Sequence, residues 1–240
     1  MSAAPVSPPA NRLLATLPVL ERQRFLDATT RVELAFADVL YNQGDQIAHV
    51  YFPITGFISM LTTVDQDSTI EVGMVGNEGM SGFGLLLDGG TSTVRAAVQG
   101  SGSALRIDAR SFRRCLKDMP TLHQILSRYV LVLMTQLART VACTRFHVVE
   151  QRLARWLLMT RDRAQADSFA VTQEFLAHML GVRRVGVTAA ARILQSKNLI
   201  RYSRGRLHIL DGVRLENAAC ECYRCDLDTY DGALTVRARR

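Results

Sequence analysis

Residues 172–209 read TQEFLAHMLGVRRVGVTAAARILQSKNLIRYSRGRLHI, and the rest of the chain is best understood outward from them. The Thr172 hydroxyl is placed to cap a first helix that carries Phe175, Leu176, Met179 and Leu180 on one face. Gly181 ends it, because glycine accepts the left-handed backbone of a sharp turn. A second helix over 182–196 then buries Val187, Ala190, Ala191 and Leu194 and turns a basic face outward, and a short basic hairpin follows. Two short helices joined by a tight glycine turn are a common way to set a recognition helix in the DNA major groove.

Charge agrees with this reading. The net +7 is concentrated in 145–210, which hold 12 Lys/Arg against 4 Asp/Glu; residues 1–144 are balanced and 211–240 carry a net −1. Between Gln173 and Leu210 the only acid is Glu174, whereas Arg183, Arg184, Arg192, Lys197, Arg201, Arg204 and Arg206 cluster, the footprint expected for a polyanion partner. A solvated basic face would explain the charge but not its coincidence with a glycine-turned helix pair.

At 240 residues and 48% hydrophobic content, the chain suits one large or two modest domains. The densest apolar run, 129–134, is bounded by Arg128 and Arg139, far short of the roughly 20 residues a bilayer needs, so no membrane span is expected. The first twelve residues, MSAAPVSPPANR, lack a basic start followed by an apolar core. They read as a loose tail over 1–11, and the protein is expected in the cytoplasm.

Residues 32–107 read as short strands at 39–41, 50–52, 57–63, 70–74, 94–98 and 104–107, separated by turn signals such as Asn42-Gln43-Gly44-Asp45, 53–56 and 100–102. Such spacing predicts an antiparallel barrel or jelly roll. After Pro120 the period changes. Leu122, Ile125, Leu126, Tyr129, Leu133, Leu137 and Val141 follow helical spacing, with Val130, Leu131, Met134 and Ala138 as a second apolar side. A helix apolar on two sides buries one against its own barrel and the other against a partner, which predicts a homodimer. Leu126, Tyr129, Val130, Leu133 and Leu137 are the expected dimer residues.

The order of parts, together with Leu180-Gly181-Val182, Ala191-Arg192-Ile193-Leu194 and Asn198-Leu199-Ile200, resembles the Crp/Fnr family of bacterial transcription regulators over residues 12–217. Asn42 to Asp45, Tyr51-Phe52, Gly56 and the glycines at 76, 79 and 82 sit where that family's barrel has its turns. The resemblance implies an α+β fold: a cyclic-nucleotide-binding-like sensor jelly roll over 12–118, a dimerisation helix over 119–144, a winged helix-turn-helix domain over 145–217 and a Cys-containing tail over 218–240. It implies double-stranded DNA as partner, an inverted-repeat operator, and RNA polymerase as a further contact.

The family's best-known recognition helix reads bases with an Arg, a Glu one residue later and a second Arg four residues after that. Arg184 matches the first; Val185 and Ala189 stand at the others, so a different target sequence is expected. Arg183, Arg184, Val185, Thr188 and Arg192 are the expected base readers, and Thr172, Arg201, Arg204 and Arg206 the phosphate contacts. In the sensor the family's ribose acid is replaced by Met80 within Gly79-Met80-Ser81-Gly82, and its phosphate-binding pair by Gly90-Thr91. The effector pocket is expected at Glu78, Gly79, Met80, Thr91 and Arg95, without cyclic-AMP binding of the usual kind, and the residues name no other effector or cofactor.

Cys220, Cys222 and Cys225 crowd three thiols into six residues and make a weak metal or redox candidate, with Cys115, Cys143, His147 and His208 as distant possible partners. A redox- or metal-responsive regulator, or a module whose winged helix docks protein, are the alternatives. The histidines fall in no catalytic motif, and Gly73 to Gly79 lacks the lysine of a phosphate loop, so no enzyme is expected.

Overall fold

The computed structural model describes residues 11–65 and 68–234. Two short helices open it, α1 (Arg12–Ala15) and α2 (Val19–Asp27). Asn11, placed in the tail by sequence, is fully buried: its Oδ1 accepts from Leu14 N, while its Nδ2 donates to the carbonyls of Pro53 and Gly79, each at 2.9 Å.

The β-rich domain comprises β1 (Thr30–Leu34), β2 (Val39–Tyr41), β3 (His49–Asp65), β4 (Ser68–Val75) and β5 (Arg95–Asp108), with antiparallel order β1-β5-β3-β4 and β2 also on β5. Four expected strands are here two long ones. Residues 50–52 and 57–63 lie on β3, and 94–98 and 104–107 on β5, apart from Val94, which precedes it. The expected turns at 53–56 and 100–102 are facing irregularities in the β3–β5 ladder. A Cβ on Gly56 would lie 2.2 Å from the Gly100 carbonyl oxygen, and one on Gly102 equally close to that of Thr55, so the backbones meet where only glycine fits.

Helix α3 (Ala109–Asp118) leads to α4 (Pro120–Phe146), the long helix, slightly longer than expected. By length and composition alone α4 is long and apolar enough to cross a membrane, although no unbroken apolar run marks it. In this fold it is a core helix: Leu122, Ile125, Leu126, Tyr129 and Leu133 are buried against the barrel. Four residues expected in the dimer seam, Leu126, Tyr129, Val130 and Leu133, are thus consumed by the chain's own core, and Leu137 is half-buried. The exposed apolar stripe is instead Leu131, Met134, Ala138 and Val141, with alternating three- and four-residue spacing.

The chain turns at His147 and Val148 into α5 (Val149–Ala164), followed by β6 (Ser168–Ala170), α6 (Gln173–Leu180), α7 (Arg184–Ser196), β7 (Ile200–Ser203), β8 (Arg206–Ile209), α8 (Gly212–Ala218) and α9 (Cys222–Leu234). Strands β6-β8-β7 form the wing sheet. Residues 218–240 were expected as a tail, yet α9 packs back along α4. Asp226 takes ion pairs from Arg139 at 2.5 Å and Arg155 at 2.7 Å, and the buried Tyr230 hydroxyl donates to Gln136 at 3.3 Å.

Candidate nucleic-acid interface and ligand sites

The Thr172 hydroxyl accepts from Phe175 N at 3.1 Å and so caps α6; Gly181 closes it at φ +60°. Arg183 is the N-cap residue of α7 without a side-chain cap bond; Gly186 N donates to the Arg183 carbonyl at 2.9 Å, so no side chain caps the positive end of the helix dipole. Val187, Ala190, Ala191 and Leu194 are buried, while Arg183, Arg184, Val185, Ala189 and Arg192 are exposed on one face. Thr188 is half-buried beside them. Its hydroxyl donates to Gln173 Oε1 at 2.6 Å and leans on the Arg184 carbonyl at 3.1 Å, so it ties the two helices together.

Arg204 and Gly205, at φ +49° and +72°, form the two-residue hairpin loop of the wing, whose positive φ values match the twist of β7 and β8. The loop lifts Arg204 and Arg206 into solvent, with Arg201 exposed on β7. Gln195, which sequence reasoning passed over, accepts from Tyr202 N at 2.8 Å and fastens α7 to the wing. A polar cleft of about 350 Å³ lined by Thr172, Gln173, Arg184, Tyr202, Ser203 and Arg204 joins the recognition face to the hairpin. Among the described residues, the guanidinium groups of Arg183, Arg184, Arg192, Arg201, Arg204 and Arg206 make no hydrogen bond or ion pair within the chain.

Other arginines of the basic segment serve the interior. Arg152, Arg155 and Arg163 are buried on α5. Arg163 pairs at 2.8 Å with Glu78, itself buried, and so joins α5 to the barrel. Trp156, expected as a core aromatic, donates from Nε1 to Glu71 at 2.9 Å. Burial pushes the Glu71 carboxyl up to about 7, against the lowering effect of its bonds from Ser59 and Trp156.

These contacts fill the expected effector pocket. Glu78 is held by Arg163 and by Gly76 N, Met80 is fully buried, and the Tyr129 hydroxyl donates to the Met80 carbonyl at 3.2 Å. A Cβ on Gly79 would lie 2.4 Å from Tyr129 Oη, so ring and backbone are in direct contact. Thr91 and Arg95 are exposed instead, Thr91 bridged to Gln46. A separate, mainly apolar cleft of about 600 Å³ lies between Phe57 and 99–101 of the barrel and Trp156, Phe169 and Phe175 of the helical domain.

The cysteines regroup. Cys225 stays apart, whereas Cys143, His147, Cys220 and Cys222 bring their ligand atoms within 4.8 Å of one another. A hydrogen bond shared with Cys220 lowers the Cys143 thiol below its ordinary range and raises that of Cys220.

Residues 31–119 match the cyclic nucleotide-binding domain family and residues 151–218 the Crp-like helix-turn-helix domain family. Among solved structures, a putative Crp/Fnr regulator from Eubacterium rectale superposes with a TM-score of 0.67 at 17% identity, covering 86% of this chain and 96% of that one. FixK2 from Bradyrhizobium japonicum gives 0.67 at 15% identity, with 80% and 98% covered. The c-di-GMP responsive regulator CLP from Xanthomonas campestris gives 0.66 at 18% identity, with 81% and 100% covered. Among curated proteins no sequence matches this chain. With a nucleotide-binding-type barrel, a long connecting helix and a Crp-like output domain in that order, the chain belongs to the Crp/Fnr family of DNA-binding transcription regulators.

Proposed function

We propose that the protein acts in the cytoplasm as a homodimer on an inverted-repeat DNA site, with a sensor that does not take cyclic AMP in the family's usual way. The carrying observation is the exposed, internally unpartnered basic face of α7 and the wing. Arg184 reads a guanine edge, the methyl groups of Val185 meet a thymine methyl, Arg183 and Arg192 flank them, and Thr172, Arg201, Arg204 and Arg206 hold phosphates. The stripe Leu131, Met134, Ala138 and Val141 is the seam against a second α4, in the manner of a coiled coil. Two-fold symmetry then sets the recognition helices about 34 Å apart, one helical turn of DNA. RNA polymerase is the partner that family membership adds.

Filling of the Glu78, Gly79 and Met80 region by Arg163 and Tyr129 supports the departure from ordinary cyclic-AMP binding. Selection of bound DNA from a random pool, with and without cyclic nucleotides, oxidant and metal, tests the whole reading. The expected product is a palindromic site enriched equally with and without cyclic AMP. Affinity should fall linearly in log–log form with salt, with a slope of about 0.9 per neutralised phosphate. Salt-independent or absent DNA binding would favour a winged helix that docks protein. Leu131→Asp with Val141→Asp should convert a dimer to a monomer in sedimentation, and an unchanged mass would remove the proposed seam.

A further inference from the structure

We propose that Cys143, His147, Cys220 and Cys222 form a binding site for a single thiophilic divalent ion of the zinc class, one that pins the last helix of the chain to the hinge between barrel and DNA-binding domain. The sulfur atoms of Cys143 and Cys220 are 3.5 Å apart, and Cys222 Sγ lies 3.6 Å from His147 Nδ1. A tetrahedral centre with metal–sulfur bonds of about 2.3 Å and a metal–nitrogen bond of about 2.0 Å sets its ligand atoms roughly 3.5 to 3.8 Å apart. All four ligand atoms lie within 4.8 Å of one another, so they enclose one ion; an iron–sulfur cluster needs its thiolates spread wider.

The donor set is as specific as the spacing. Three thiols and an imidazole suit zinc, whereas magnesium and calcium want oxygen. Cys143 and His147 stand one turn apart at the end of α4, and Cys220 and Cys222 flank the turn into α9. Two distant pairs of ligands from separate elements therefore converge. Three thiolates, a neutral imidazole and a divalent ion leave a net charge of −1, and buried Arg152 and Arg155 stand beside Cys143 to balance it. A groove of about 290 Å³ lined by Arg139, Phe146, His147, Glu221, Cys222 and Cys225 gives an ion access from solvent. Cys225 borders that groove but does not join the cluster, which makes it an internal control.

The test uses the full chain purified under reducing conditions. Atomic emission should find one zinc per chain, and replacement by cobalt should give the visible absorption of a tetrahedral thiolate complex. Cys143→Ser, Cys220→Ser and Cys222→Ser should lose the bound ion, His147→Ala should lose most of it, and Cys225→Ser should keep it. A wild-type chain that holds neither zinc nor cobalt after incubation with reductant and metal would overturn the proposal. So would loss of the ion in Cys225→Ser with retention in His147→Ala. Because metal content is read without DNA, this outcome is independent of the regulator reading.

Discussion

At the start of α7 and along it, Arg183, Arg184 and Arg192 stand in solvent without partners for their guanidinium groups, whereas around Gly76 to Met80 the chain's own Tyr129 and Arg163 already occupy the space. The first surface leaves its chemistry to be completed from outside. The second is completed from within, so a ligand entering there must displace a buried ion pair and a packed ring. The chain thus leaves its basic face open, while at the expected effector site the Glu78–Arg163 pair ties the barrel to α5.

The contrast is broken most severely at its inner end. Arg163→Ala leaves Glu78 buried and unpaired, and loss of one partner of such a pair costs about 3–5 kcal/mol. The denaturation midpoint should drop accordingly; a drop no larger than that of an exposed arginine would mean that the Arg163–Glu78 pair does not hold α5 to the barrel. Glu71 comes next. Its raised carboxyl keeps a proton in the folded protein that the unfolded chain releases, so stability falls as pH rises from about 4.5 to about 7 and levels off above. The whole swing is about 3 kcal/mol for a shift of this size, and Glu71→Gln should flatten that part of the stability profile. At the outer face, Arg184→Ala should weaken binding to the selected site by about 1–3 kcal/mol per half-site and relax one base in each, read by anisotropy titration on single-base variants. Tyr129→Phe sharpens the comparison with the smallest change: it removes only the bond to the Met80 carbonyl, for about 1 kcal/mol, with cyclic-AMP affinity unchanged.

Local signals in the sequence carried the output domain. A threonine cap, a glycine at positive φ and helical periodicity act within a few residues, and all lie inside 172–209. The barrel was legible as β-rich, but 53–56 and 100–102 look like turns to any local reading; only their mutual approach makes them irregularities within two long strands. Both faces of α4 are apolar, so periodicity identified a two-sided helix without telling which side its own barrel would take. All four residues of the metal-type cluster stood among the sequence candidates, but which of them converge is set by the tertiary fold. Cys143 precedes Cys220 by 77 positions, so spacing alone does not choose it over the nearer thiol at Cys225. Charge counting likewise included Arg152, Arg155 and Arg163, which face the interior.

Tyr230 and Ala233 on α9 belong to the same apolar cluster as Phe25 of α2, Phe52 of β3 and Phe112 of α3. During synthesis, the N-terminal β-rich domain therefore lacks part of its own core until α9 has been made. Contacts of such large sequence separation form late and slow folding. A version cut after the wing should then expose the apolar flank of α4 and favour aggregation instead of merely losing an appendage.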